Sequence, residues 1–274
     1  MAGDDAAKSP GTAGYAARRL RGWSRDEPMN AYGTGPEWRW EWPAPGVGRL
    51  RLPRWDATAG LAVGPTGALL IDAGASLREG ALLRHAAEEA LRERGGPRRV
   101  THLALTHAHF DHVFGAAAFA GAEVHGAVGL DTALTRTDTL ESDAVRHGLG
   151  PREAGEAADA LVVPRHLVSG EAVVELGGER RALLANLGPG HTAHDLAVLV
   201  PGTPDVVFCG DLVEESGEPQ AGPDALPARW PEALDRLLAL GGPDAVYVPG
   251  HGAVVDAAFV RAQRDELARR FALS

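Results

Sequence analysis

One cysteine, Cys209, among 274 residues excludes an internal disulfide and a thiolate zinc cage, so nothing in the chain requires an oxidising compartment. Aromatic residues are scarce at 5%. No apolar run approaches the roughly eighteen residues that a bilayer-spanning helix needs. The first forty residues, with Asp4, Asp5, Lys8, Arg18, Arg19 and Arg21, lack the continuous apolar stretch of a secretion signal. A cytoplasmic protein with no membrane partner is the expectation. Positive charge is also short: 27 Lys and Arg stand against 37 Asp and Glu, a formal net charge of −10. That balance favours solubility and repels phosphate backbones, so nucleic acid is not an expected partner. What is present is 45% apolar sequence, an ordinary globular fraction that supports a sizeable core. It is punctuated by 35 glycines and 19 prolines, which exclude a coiled coil and predict short strands with frequent turns.

Residues 1–44 are polar and without period, and read as an N-terminal extension, partly disordered or docked as an edge segment. The exception is the alternation Trp38, Trp40, Trp42, which puts three indoles on one face of an extended stretch. Residues 45–274 read as one folded domain. Strand patterns occupy Leu50 to Leu52, Gly60 to Val63 and Ala68 to Ile71. A helical stripe of Leu77, Ala81, Leu82, Ala86, Ala90 and Leu91 then closes on Gly95-Gly96-Pro97. Val100 to Leu105 reads as a buried strand running into a His-rich turn and a short Ala-rich helix. Gly126 to Gly155 is helical but polar, which predicts a solvent-facing insertion or lid extending over about 126–160. Strands follow over Val162 to Val168, Ala172 to Leu176, Arg181 to Leu187, Leu196 to Val200, Val206 to Cys209 and Ala245 to Val248. Helices are predicted from Pro231 to Leu240 and from Val255 to Phe271.

Chemistry concentrates in Thr106-His107-Ala108-His109-Phe110-Asp111-His112. In extended backbone after a strand, the spacing of two between His107 and His109 sends both imidazoles to one side, where a single metal ion can take both. Asp111 and His112 follow in the turn, placed to face a second ion. His191, Asp211 and His251 each sit at the carboxyl end of a strand, beside Gly190, Gly210 and Gly250. Imidazole nitrogen and carboxylate oxygen suit zinc or ferrous iron, and seven such groups make two sites that share one bridging carboxylate.

The blocks Leu70-Ile71-Asp72-Ala73-Gly74, Thr106 to His112, Gly188-Pro189-Gly190-His191-Thr192, Cys209-Gly210-Asp211 and Pro249-Gly250-His251-Gly252 resemble, in order, those of metallo-β-lactamase-fold hydrolases. The resemblance implies an α+β fold, a four-layer αββα sandwich of two packed mixed β-sheets with helices on the outer faces, and makes residues 45–274 the catalytic domain. It implies two divalent ions, zinc before iron or manganese: metal 1 on His107, His109 and His191, metal 2 on Asp111, His112 and His251, with Asp211 bridging. The expected reaction is attack by a metal-bridging hydroxide on an ester, thioester or lactone of a small-molecule substrate (an EC 3.1-type hydrolase), with Asp111 steering the nucleophile and its proton. β-Lactamases of this fold usually carry Cys or Ser at the position of Asp211. Glyoxalase II enzymes share the ligand set but add a C-terminal helical region, for which little chain follows His251. The runner-up is a mononuclear iron persulfide dioxygenase using His107, His191 and Asp211, and the non-enzymatic alternative is a metal-stabilised binding protein.

Around this set, Asp72 resembles the acid that orients a ligating histidine through its other ring nitrogen. Thr106 and Thr192 flank ligands and read as structural. His194 is placed to face the cleft as a substrate or proton-transfer group. His102 reads as strand packing, and His85, His125, His147 and His166 as structural or exposed. Trp55 and Trp230 read either as core or as an apolar wall, Glu214 and Glu215 as a solvated loop face, and Cys209 as a small buried hydrophobe. Substrate choice is expected to rest on Gly126 to Gly155 and Ser216 to Pro227; oligomeric state is not encoded in any of these features.

Overall fold

The computed structural model describes residues 38–271, so residues 1–37 of the expected extension lie outside the described residues. Strands β1 (Glu41–Ala44), β2 (Val47–Leu52), β3 (Ala57–Val63), β4 (Ala68–Ile71), β5 (His102–Ala104), β6 (Glu123–Ala127) and β7 (His166–Val168) form one half of the molecule. Strands β8 (Glu171–Gly177), β9 (Arg180–Asn186), β10 (Leu196–Val200), β11 (Val206–Glu214) and β12 (Val246–His251) form the other. Within the first half β4, β5, β6 and β7 run parallel, while β8, β9, β10 and β11 are antiparallel neighbours and β11 pairs β12 in parallel. The two halves meet at one pair, Ala57 with His251.

Alternation along these strands sorts the apolar side chains into layers. Leu69, Ile71 and Ala104 of the first half share a buried cluster with Leu184, Val198, Phe208 and Val248 of the second, so the two halves pack face to face. The intervening residues point the other way. Leu70 and Leu103 meet the helices of the first half, α1 (Leu77–Glu93), α2 (Phe110–Val113), α3 (Leu130–Ala133), α4 (Thr137–Arg146) and α5 (Pro151–Asp159). Val207, Cys209 and Tyr247 meet α6 (Trp230–Gly241) and α7 (Ala257–Phe271). Helix, sheet, sheet, helix is the four-layer order expected, and Cys209 is the small buried hydrophobe expected.

Three local readings differ. In α1 the buried face carries Gly80, Leu83, Ala87, Ala90 and Leu91, and Ala81 is exposed. The helix is rotated because Ser76 caps it by accepting from the Glu79 amide while Glu79 Oε2 accepts from Ala75, and because Gly80 packs against the backbone of Gly115. The segment 126–160 is amphipathic: Leu130, Leu134, Leu140, Ala144, Leu149, Ala154 and Ala157 belong to the helix-side core. Glu214 is buried at the end of β11, and Glu215 accepts from the Ala253 amide at 2.7 Å, so neither forms the solvated loop face expected. The indoles of Trp38, Trp40 and Trp42 pack on the helix-side core, with Trp40 Nε1 donating to Ala86 of α1.

Candidate metal centre

The residues of the centre gather at strand ends and the loops that follow them, except Asp211, which lies inside β11 because that strand continues to Glu214 and not, as expected, only to Cys209. His107 lies in the turn after β5, His109 caps α2, and Asp111 and His112 form its first turn. His191 sits in the loop between β9 and β10, Asp211 at an irregularity in β11, and His251 closes β12. Gly210 takes a left-handed φ of 53°, and a Cβ on Gly250 would overlap Asp211 Oδ1. The two glycines let β11 and β12 close around the carboxylate. Asp195 shapes the loop that presents His191, accepting from the Thr192 amide and hydroxyl; burial raises it to about 7. This residue escaped the sequence reading, although an acid three positions after a threonine in a Gly-Pro turn is a recognisable turn signal.

The seven side chains converge as two adjoining groups. His107, His109, His191 and Asp211 form one, and Asp111, His112 and His251 the other. Asp211 reaches both: its Oδ2 lies 3.6 Å from His107 Nε2, 3.5 Å from His191 Nε2 and 3.2 Å from His251 Nε2, and its Oδ1 lies 3.2 Å from His112 Nε2. His109 Nδ1 is 3.0 Å from His191 Nε2, and Asp111 Oδ2 is 3.4 Å from His251 Nε2.

Hydrogen bonds on the far side of four rings fix which nitrogen faces inward. A carboxylate only accepts, so His112 Nδ1 donates to Asp72 Oδ2 at 2.9 Å, and His109 Nε2 donates to Asp224 Oδ2 at 3.1 Å. Thr106 donates its hydroxyl to Asp72 Oδ2 and therefore accepts from His107 Nδ1. His251 Nδ1 donates to the carbonyl of Trp55 at 3.0 Å. The inward nitrogens are left with lone pairs, and His107 Nε2 is buried with no hydrogen-bond partner among the described residues. A set of acceptors of this kind fits a cation.

The electrostatics differ from ring to ring, and in the first group His109 is raised, burial being outweighed by its hydrogen-bonded partner Asp224. Burial pushes His107 well below the ordinary imidazole value and His191 down to about 4. At His112 and His251 burial is outweighed by Asp211 and Asp111, which raise the first well above the ordinary value and the second to about 9. Burial is likewise outweighed at Asp211 by His251, His112 and His107, which hold it well below the carboxylate range. The field at the second group thus favours positive charge.

Other candidates are placed elsewhere or differently. Asp72 touches His112 as described. Thr192 is spent on Asp195. His194 Nδ1 donates to the Val128 carbonyl and is tied to the loop after β6. Trp55 and Trp230 are both buried; Trp230 packs edge-on to the His191 ring, with centroids 5.3 Å apart, and supports it from the core side. His147 is half-exposed and stacks on Phe110 beside the centre, and His85 pairs with Glu89 on the surface. His102, His125 and His166, unconnected in the sequence reading, are brought together on three adjacent strands. No local spacing signals that, because the register between parallel strands is a tertiary property.

The sequence model of the metallo-beta-lactamase superfamily matches residues 52–251. Metallo-beta-lactamase domain-containing protein 1 of Xenopus laevis is 29% identical over 202 residues, spanning 72% of this chain and 71% of that protein. The crystal structure of DIM-1 metallo-beta-lactamase superposes with a TM-score of 0.64 at 15% identity, covering 86% of this chain and 99% of that one. FIM-1 from Pseudomonas aeruginosa, in its mono-zinc form, gives a TM-score of 0.61 at 18% identity over 86% of this chain and 96% of that one. No helix among the described residues is long and apolar enough to cross a membrane.

Proposed function

Because the chain belongs to the metallo-beta-lactamase superfamily, we propose that it is a dinuclear-metal-dependent hydrolase acting on an ester, thioester or lactone carbonyl of a small molecule. The observation that carries this reading is the position of Asp211, within 3.2 to 3.6 Å of donor nitrogens from both groups. His107, His109 and His191 would hold one ion, Asp111, His112 and His251 the other, and Asp211 both. Imidazole and carboxylate donors favour zinc, with iron and manganese sharing the preference more weakly. Such ions, when bound, supply a nucleophile at neutral pH and polarise the carbonyl under attack.

The chain's own groups do the rest. Asp72 and Thr106 hold the rings of His112 and His107 in one orientation, and Asp224 and the Trp55 carbonyl do the same for His109 and His251. Core packing around Trp55, Phe110 and Trp230 keeps solvent from the back of the centre. The side chain of Asp111 is 11% exposed against 0 to 6% for the imidazoles of its group. Its carboxylate would take a proton from the nucleophile and pass it to the leaving group.

A panel of thioesters, lactones, aryl esters, phosphodiesters and β-lactams, each with zinc, manganese and iron, tests the reading. Turnover of a carboxylic ester, thioester or lactone that disappears in Asp111→Ala supports it. Turnover confined to β-lactams or phosphodiesters, or oxygen consumption on a persulfide with one iron bound, overturns it.

A further inference from the structure

At the opposite end of the first sheet, His102, Glu123 and His125 bring one donor atom each to within 4.8 Å of the others. We propose that these three residues, with His166 at their rim, form an additional site for a borderline divalent cation of the zinc type, separate from the catalytic centre and structural in role.

Topology builds the cluster. Strands β5, β6 and β7 are parallel and in register, His102 opposite Glu123 and His125 opposite His166. Ala104, Ala127 and Val168 lie two residues further along the same face and belong to the layer between the sheets, so all four polar residues project from that face where the layer opens. His107 lies five residues beyond His102, roughly 15 Å along extended chain. The catalytic residues leave the carboxyl ends of the strands, and this cluster occupies their amino ends.

One hydrogen-bond contact, His102 Nδ1 with His125 Nε2, joins the cluster, and its spacings are those of a coordination shell. Two ligands each about 2.0–2.1 Å from zinc at the tetrahedral angle stand about 3.4 Å apart. His102 Nδ1 is 3.4 Å from His125 Nε2 and 3.6 Å from Glu123 Oε2. His166 Nε2 is 3.9 Å from the same carboxylate oxygen, and its ring lies 4.8 Å from that of His125. Three imidazoles and one carboxylate match zinc, nickel or copper better than calcium or magnesium. Burial lowers His102 and takes His125 down to about 4, so both present lone pairs at neutral pH. Glu123 and His166 are exposed, which gives an ion a path in and makes the site exchangeable. An ion there would pin β5, only three residues long, to β6 and β7.

Equilibrium dialysis of the full chain against zinc at fixed free concentration, with metal counted by mass spectrometry, tests this. The expected result is that His125→Gln and His102→Gln each bind one zinc equivalent fewer than wild type, with the remaining equivalents and any hydrolytic activity unchanged. The surface variants Glu123→Gln and His166→Gln, which leave His102 and His125 intact, should weaken that one equivalent at least tenfold. Zinc should also raise the melting temperature of His107→Ala, and should raise it by less once His125→Gln is added. An unchanged zinc count in all four variants overturns the proposal. Since the comparison is a difference of one equivalent, it holds whether or not the catalytic centre proves to be a hydrolase.

Discussion

Oδ2 of Asp72 lies 2.9 Å from Nδ1 of His112, forty residues along the chain. The same oxygen accepts from Thr106, whose hydroxyl in turn receives the Nδ1 proton of His107, so one carboxylate orients an imidazole in each half of the centre. Asp72 adopts a left-handed φ of 59°, a conformation that Asp and Asn tolerate better than most residues. Both Asp72→Ala and Asp72→Asn are expected to weaken metal binding about 10- to 100-fold. Asparagine keeps the backbone conformation, so equal losses in the two variants, read by chelator competition, separate ring orientation from backbone strain. Thr106→Val should have the smaller effect.

His107→Ala and Asp111→Ala are expected to lower kcat/KM for the best ester or thioester by more than about 10³-fold, equivalent to about 4 kcal/mol of transition-state stabilisation. The circular dichroism spectrum should be retained, because the layers of the core are built without either residue. Activity within tenfold of wild type in either variant would contradict the roles given to them.

Gly250→Ala puts a methyl group onto Asp211 Oδ1, with the backbone of Gly210 and the Asp211 amide close behind it. The carboxylate must move out of position between the two groups. The expected outcome is loss of tight metal binding in a chain that still folds, measured by titration calorimetry beside a thermal melt.

Glu79 offers a pH prediction remote from the metal ligands in sequence. Burial raises its carboxyl from an ordinary 4.5 to about 7, and its Oε2 accepts from the Ala75 amide. A raised carboxyl stabilises the fold fully below about pH 4.5 and loses that contribution as pH rises through about 7. Glu79→Gln keeps the acceptor and removes the titration. The variant should therefore gain on wild type between pH 5 and pH 8, by roughly 3 kcal/mol at the upper end. Urea unfolding of both proteins at the two pH values checks it, and parallel behaviour would contradict the buried-acid account.

Much of the centre is legible in the sequence because its chemistry is local. The spacing of His107 and His109 after an apolar strand, and a glycine before each of His191, Asp211 and His251, are short-range features of backbone that must approach closely. The strand layers are legible for the same reason: the short apolar runs Ala68–Ile71 and Leu196–Val200, bounded by turn residues, match the observed elements residue for residue. What local pattern does not encode is register and rotation. The rotation of α1 depends on Gly80 meeting Gly115, the burial of Glu214 on β11 continuing past Gly210 to pair with His251, and the meeting of His102, Glu123, His125 and His166 on the pairing of parallel strands. The role of Asp195 is not legible either, because it shapes a loop through Thr192 and carries no ligand spacing of its own.

The central claim is that Asp211 is shared by two cations. An anomalous difference map at the zinc edge, from crystals grown with zinc, tests it most directly. Two peaks are expected, one on either side of the Asp211 carboxylate, the first against His107, His109 and His191 and the second against Asp111, His112 and His251. A single peak at saturating zinc, or density remote from Asp211, would contradict the account.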